Sequence, residues 1–134
     1  MNKRNKILIE GVSSEEILEI IDDPEFEQGI ISNEPLVFNI GSAEVLAQFG
    51  ILNDEIIVDL VHITGGGEGV LLIIRNLVKS YCKQREISTI NWQIHATNCV
   101  NPNPKLKRIL ELRNYQIKNV ANRGNVYCKK EKLI

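Results

Sequence analysis

Residues 55–75 read EIIVDLVHITGGGEGVLLIIR, and this stretch decides the fold. Ile56, Ile57, Val58, Leu60, Val61 and Ile63 are mostly β-branched and nearly continuous, the pattern of a strand covered on both faces. Gly65, Gly66, Gly67, Glu68 and Gly69 break that run. From Val70 to about Arg85 the period becomes helical. Val70, Ile74, Leu77, Val78 and Tyr81 form one apolar stripe, and Arg75, Asn76, Lys79 and Lys83 lie away from it. Strand, glycine-rich loop and helix together make a phosphate-binding arrangement. Glycines let the backbone approach an anion, and the helix start offers unpaired N–H groups and a positive dipole end. A P-loop would need Lys-Ser/Thr where this chain has Val70-Leu71, and a dinucleotide fingerprint would need a glycine at Val70.

Upstream, residues 6–10 read as a strand. Ser13 and Glu16 make a capping box for a helix through Ile17, Leu18, Ile20 and Ile21, which Asp22-Asp23-Pro24 stops. Residues 24–34 show no period and read as a loop. Residues 36–40 read as a strand. Residues 42–50 fit either a short capped helix or a strand with Val45, Ala47 and Phe49 alternating. Asn53-Asp54 is a turn signal. Downstream, residues 88–97 alternate as a strand, with Ile90, Trp92, Ile94 and Ala96 on one side and Asn91, Gln93, His95 and Thr97 on the other. A loop over 98–104, a helix over 105–113 with Leu106, Ile109 and Leu110 inward, and strands over 115–120 and 125–129 complete the chain.

The chain has 134 residues, 43% of them hydrophobic and 25% charged, which predicts one domain over residues 1–134 with a core of its own. A net charge of −1 excludes a global basic field for nucleic acid. Lys105, Lys107, Arg108, Arg113, Lys118, Arg123, Lys129 and Lys130 make the last third locally basic, but aromatic residues are 5% of the chain, too few for RNA stacking. Cys82, Cys99 and Cys128 form no CxxC or Cys/His cluster, which argues against a metal and for reduced thiols. The opening MNKRNKILIEG lacks the apolar length of a signal peptide, and no run approaches the roughly 20 apolar residues of a membrane span. The expectation is a soluble, cytoplasmic protein.

Gly67-Glu68-Gly69 followed by Val70-Leu71-Leu72 resembles the acetyl-CoA loop of the GNAT family of N-acetyltransferases, whose form is Arg/Gln-x-x-Gly-x-Gly/Ala opening a long helix. Thr64 stands where that family has Arg or Gln, and Glu68 puts a carboxylate beside the anion. Downstream, Asn103, Leu106, Ile109, Asn114 and Tyr115 stand at spacings similar to the family's Asn-x-x-Ala-x-x-Leu-Tyr-x-x-x-Gly-Phe. The resemblance covers about residues 54–120. It implies an α/β (α+β) fold: a mixed, mostly antiparallel twisted sheet of six or seven strands flanked by three or four helices. It implies acetyl-CoA or coenzyme A held by Ile63, Thr64, Gly65, Gly66, Gly67, Glu68, Gly69 and Val70, with Asn103, or its rival Asn98, nearby. It further implies acyl transfer to an amine acceptor. Two parallel strands, 56–63 and 88–97, would part toward the cofactor, and backbone groups of the first would polarise the thioester carbonyl.

His62, at the end of its strand just before the loop, is the first choice of general base. Asp59 is second, within an apolar strand where burial can tune a carboxylate, and His95 is the third candidate. Leu110 stands where many family members carry the Tyr that protonates the leaving thiolate, and Tyr115 replaces the motif's Phe in a packing role. The alternative is a GNAT-like interaction or regulatory module without catalysis, with or without bound coenzyme A. A terminal strand over 125–129 with an exposed edge could pair two copies into a homodimer.

Overall fold

The computed structural model describes residues 5–9, 14–40, 43–64, 68–95, 104–120 and 124–133. In chain order its elements are β1 (Asn5–Ile9), α1 (Ser14–Ile21), α2 (Pro24–Ile31), β2 (Leu36–Ile40), β3 (Ala43–Leu52), β4 (Glu55–Thr64), α3 (Glu68–Arg85), β5 (Thr89–Ile94), α4 (Pro104–Leu112), β6 (Gln116–Val120) and β7 (Gly124–Lys132). The strands form one seven-stranded sheet in the order β1-β2-β3-β4-β5-β7-β6. β1/β2 and β4/β5 pair in parallel, and the other neighbours pair antiparallel. The chain is thus a mixed α+β fold whose sheet is mostly antiparallel.

One face of the sheet carries the core. Phe38, Val45, Ala47, Phe49, Ile56, Val58, Leu60, Ile90, Trp92, Ile94 and Tyr127 are buried in a single cluster, and the registers place them all on the same side. Every described helix adds to that cluster: Ile17 and Ile21 from α1, Phe26 and Ile30 from α2, the stripe from Val70 to Cys82 on α3, and Leu110 from α4. The strand of residues 55–64 is therefore not covered equally on its two faces. Ile56, Val58 and Leu60 meet the helices, whereas half-buried Ile57 and buried Asp59 point to the opposite side.

Residues 24–31 are a helix, where a loop was expected. Asp23 caps it, accepting a hydrogen bond from the Glu25 N–H at 2.9 Å, and Pro24 occupies the first turn, where its missing N–H costs nothing. Phe26, Gly29 and Ile30 face inward, and the Phe26 ring meets Phe38, Phe49 and Tyr81 edge-on. Residues 43–52 are a strand, because pairing with β2 and β4 on both edges exceeds anything a short helix offers there. Asn53, at φ 57, makes the tight turn into β4. β7 is not an edge strand: β5 and β6 flank it, so the outer strands are β1 and β6. Ser13 of the expected capping box, and Ala96 and Thr97 of the expected strand end, lie outside the described residues. No described helix is long and apolar enough to cross a membrane.

Candidate functional site

The site grows from an irregularity in β4. Ala47 pairs with Leu60 but its neighbour Leu46 pairs with His62, so Val61 is an extra residue on β4. Such a bulge bends a strand and re-aims the side chains beyond it. β4 and β5 stay in register from Glu55↔Thr89 to Leu60↔Ile94, and the His95 N–H bonds the Leu60 carbonyl at 3.0 Å. Beyond that point residues 61–64 have no partner on the β5 side among the described residues. The described pairing of β4 with β5 ends at the bulge, and the chain then crosses the glycine-rich segment into α3.

The bulge also sets which side chains meet. In a regular strand Asp59 and His62 would face opposite ways, three residues apart. With Val61 inserted, Asp59 pairs with Gln48 and His62 with Leu46, two residues of β3 on one face. Asp59, His62 and His95 thereby share the face away from the helices. Asp59 (5% exposed) and His95 (8% exposed) form a buried pair, with His95 Nε2 2.9 Å from Asp59 Oδ1. His62 is exposed, and its Nε2 lies 2.6 Å from Thr64 Oγ1. The structure therefore joins Asp59 to His95, the base ranked third from the sequence, and leaves His62 apart from them, exposed beside Thr64. Residue type found all three; the one-residue insertion that aligns them has no local sequence signal.

Beyond the glycine-rich segment, Glu68 opens α3, Gly69 is exposed in its first turn, and Val70 is buried in the core. A Cβ added at Gly69 would meet nothing within 4 Å, so a side chain has room at this position. Ile63 packs against the core edge and Thr64 is exposed. Gly65, Gly66, Gly67, Asn98 and Asn103 lie outside the described residues. Leu110 is fully buried and offers only carbon to the core. Tyr115 is half-buried, its ring under the Lys129 ammonium at 5.5 Å, and burial with the nearby Glu131 pushes its phenol up to about 12. Those features fit packing.

No protein-family model, curated protein or solved structure matches the chain. Among the described residues no group of three or more His, Cys, Asp or Glu is placed to hold a metal ion.

Proposed function

We propose that this chain is a GNAT-type N-acyltransferase that moves an acyl group from a coenzyme A thioester to an amine. The observation that carries this reading is the Val61 bulge near the end of β4, which brings Asp59, His62 and His95 to one face immediately before a glycine-rich segment and α3, where Gly69 is exposed. A thioester lying along the end of β4 would have its pyrophosphate at the helix start and its carbonyl beside the β5-side backbone of residues 61–64. N–H groups there would stabilise the oxyanion as the amine adds. The C–N bond forms, the C–S bond breaks, and the amine proton must leave.

His62 is the base in this reading, because it is exposed where an acceptor would enter. Thr64, the departure from the family's loop, orients it. In the tautomer whose Nε2–H donates to Thr64 Oγ1, Nδ1 carries the basic lone pair. The Asp59–His95 pair forms a fixed polar floor beneath. Leu110 cannot donate, so water protonates the thiolate. The same buried Leu110 favours a second reading, a module that binds coenzyme A without turnover.

Calorimetry with coenzyme A and acetyl-CoA tests the proposal, with Gly67→Trp as the control. Binding by the parent that the variant loses supports it; no binding at millimolar cofactor refutes it. In an amine screen, His62→Ala should keep cofactor affinity and lose about 10²-fold or more in kcat. Cofactor binding with no turnover on any amine would select the second reading.

A further inference from the structure

Charge is divided along this chain. From Ile7 to Ile74 there is no Lys or Arg, and fourteen of the 17 Asp and Glu lie there. From Arg75 onward lie thirteen of the 16 Lys and Arg. The topology keeps the two groups apart in space. β2, β3 and β4 lie on one side of the β4/β5 boundary, and β5, β7 and β6 lie on the other. α1 and α2 precede that boundary in the chain, and α4 follows it. The net charge of −1 is therefore the cancellation of two opposite surfaces.

Each half presents a helix face with an exposed leucine and unmatched charge of one sign. On α1, Ile17 and Ile21 are buried and Ile20 is half-buried, so Glu15, Leu18, Glu19 and Asp22 fall on the outer side, and all four are exposed. Leu18 is 45% exposed, with Glu15 and Asp22 one turn to either side of it. On α4, Leu110 is buried, so Arg108 and Leu112 fall on the outer side, and Leu112 is 76% exposed. Glu111 accepts from the Tyr127 hydroxyl at 3.0 Å and so is turned toward the sheet. Among the described residues Glu15, Glu19, Asp22 and Arg108 have no oppositely charged side chain within 4 Å. Ile17, Ile21 and Leu110 join the core on the same face of the sheet, so both outer sides point away from it in the same direction.

We propose that two copies of this chain pair through their helical layers, with α1 of each copy on α4 of the other. A two-fold axis between the copies makes both contacts at once, the isologous arrangement of most dimers. Facing the two layers the other way lays acid on acid and base on base, so charge selects this arrangement. With Leu18 against Leu112, Arg108 stands one turn from the centre of the contact. It meets Asp22 if the helices cross antiparallel and Glu15 if they run parallel. An apolar centre inside a charged rim is the ordinary anatomy of an interface. Lys79 and Lys83 of α3 belong to the same layer and repel their own copies, which keeps the pairing weak. The face that carries Asp59, His62 and His95 stays open in such a dimer, and the pairing does not rest on the proposed acyl transfer.

Sedimentation velocity on the parent protein tests the pairing. At about 20 mM salt the expected result is a monomer–dimer equilibrium with Kd below about 1 mM, weakened about tenfold or more at about 0.5 M salt. Leu18→Lys combined with Asp22→Lys makes the α1 face basic, and Arg108→Glu combined with Leu112→Glu makes the α4 face acidic. All four positions are exposed, so both variants should fold, which circular dichroism checks. Each alone should be monomeric, and an equal mixture of the two should dimerise at least as tightly as the parent. Glu44 and Lys118 are exposed on the opposite face of the sheet, so Glu44→Lys combined with Lys118→Glu should leave the dimer unchanged. A parent that stays monomeric at about 1 mM in low salt, or a dimer indifferent to salt, would overturn the proposal, and this comparison needs no variant. Failure of the mixture to dimerise, or equal loss on reversing Glu44 and Lys118, would overturn it as well.

Discussion

Substitution of Gly69 separates the fold of α3 from the proposed use of its first turn. The glycine sits in the helix, exposed, and an added Cβ would meet nothing within 4 Å. Alanine in a helix interior is favoured over glycine by about 1 kcal/mol; so near the end, about 0.5 kcal/mol is expected. For a domain of this size that raises Tm by about 2 °C. The family loop that this segment resembles accepts Gly or Ala at this place, so Gly69→Ala should bind acetyl-CoA as the parent does. Gly69→Phe should also fold, since the position is exposed and its Cβ would meet nothing within 4 Å, but its ring would compete for the place where the pyrophosphate would lie. Its acetyl-CoA affinity should fall at least tenfold, about 1.4 kcal/mol. Thermal melts and calorimetry on parent and both variants give the answer. A Phe variant that melts like the parent and binds acetyl-CoA equally well would refute a cofactor seated on this turn.

Gly29→Ala should act in the opposite sense. Its Cβ would come 2.6 Å from Leu36 Cδ2, and overpacking of about 1–3 kcal/mol outweighs a helix gain of about 1 kcal/mol, so urea unfolding should show a net loss. A more stable variant would mean that α2 lies farther from β2. Glu131 has a folded pKa below its unfolded value of about 4.5, so its stabilisation is present above that pH and is lost as pH falls through the folded value. Glu131→Gln should cost about 1 kcal/mol at pH 7, discounted because Arg75 is partly exposed, and should flatten the fall in Tm between pH 5 and pH 3. An unchanged acid profile would place the parent's pH dependence elsewhere. Burial and the nearby Glu131 push the Cys82 thiol up to about 12, so this cysteine should resist alkylation at pH 8 until the protein unfolds; tryptic mass mapping of labelled native protein checks it.

The features legible in the sequence are those that one element determines by itself. α3 holds its period over eighteen residues and is readable from its stripe, apart from an earlier start at Glu68. β4 is readable from its β-branched run. α2 escapes a sequence reading because its contact surface is Phe26, Gly29 and Ile30, and a glycine in the middle position breaks both the apolar count and the helix propensity. That glycine is there because Leu36 comes too close for a side chain. Residues 43–52 could not be decided locally, because their partners are β2 and β4 and pairing is a long-range term. The exposed edge expected at residues 125–129 fails for the same reason: sheet order is set by packing between distant segments, and β6 takes the position outside β7.

The site shows the same division more sharply. A sequence supplies residue types, and Asp59, His62 and His95 stand out because carboxylates and imidazoles are rare on apolar strands. Whether they can cooperate depends on parity. Period two places positions 59 and 62 on opposite faces, and the single insertion at Val61 reverses that result for every later residue of β4. The insertion turns His62 and Thr64 to the face of the Asp59–His95 pair and leaves Ile63 against the core. It also falls at the end of the described β4/β5 pairing, so the turned imidazole and the entry to α3 lie within a few residues of one local event. Thr64 then ceases to be only the residue that fails to match a cofactor loop. It is the hydrogen-bonding partner of the one exposed histidine among the described residues, so the residue that departs from the resembled loop and the base proposed above meet in one contact.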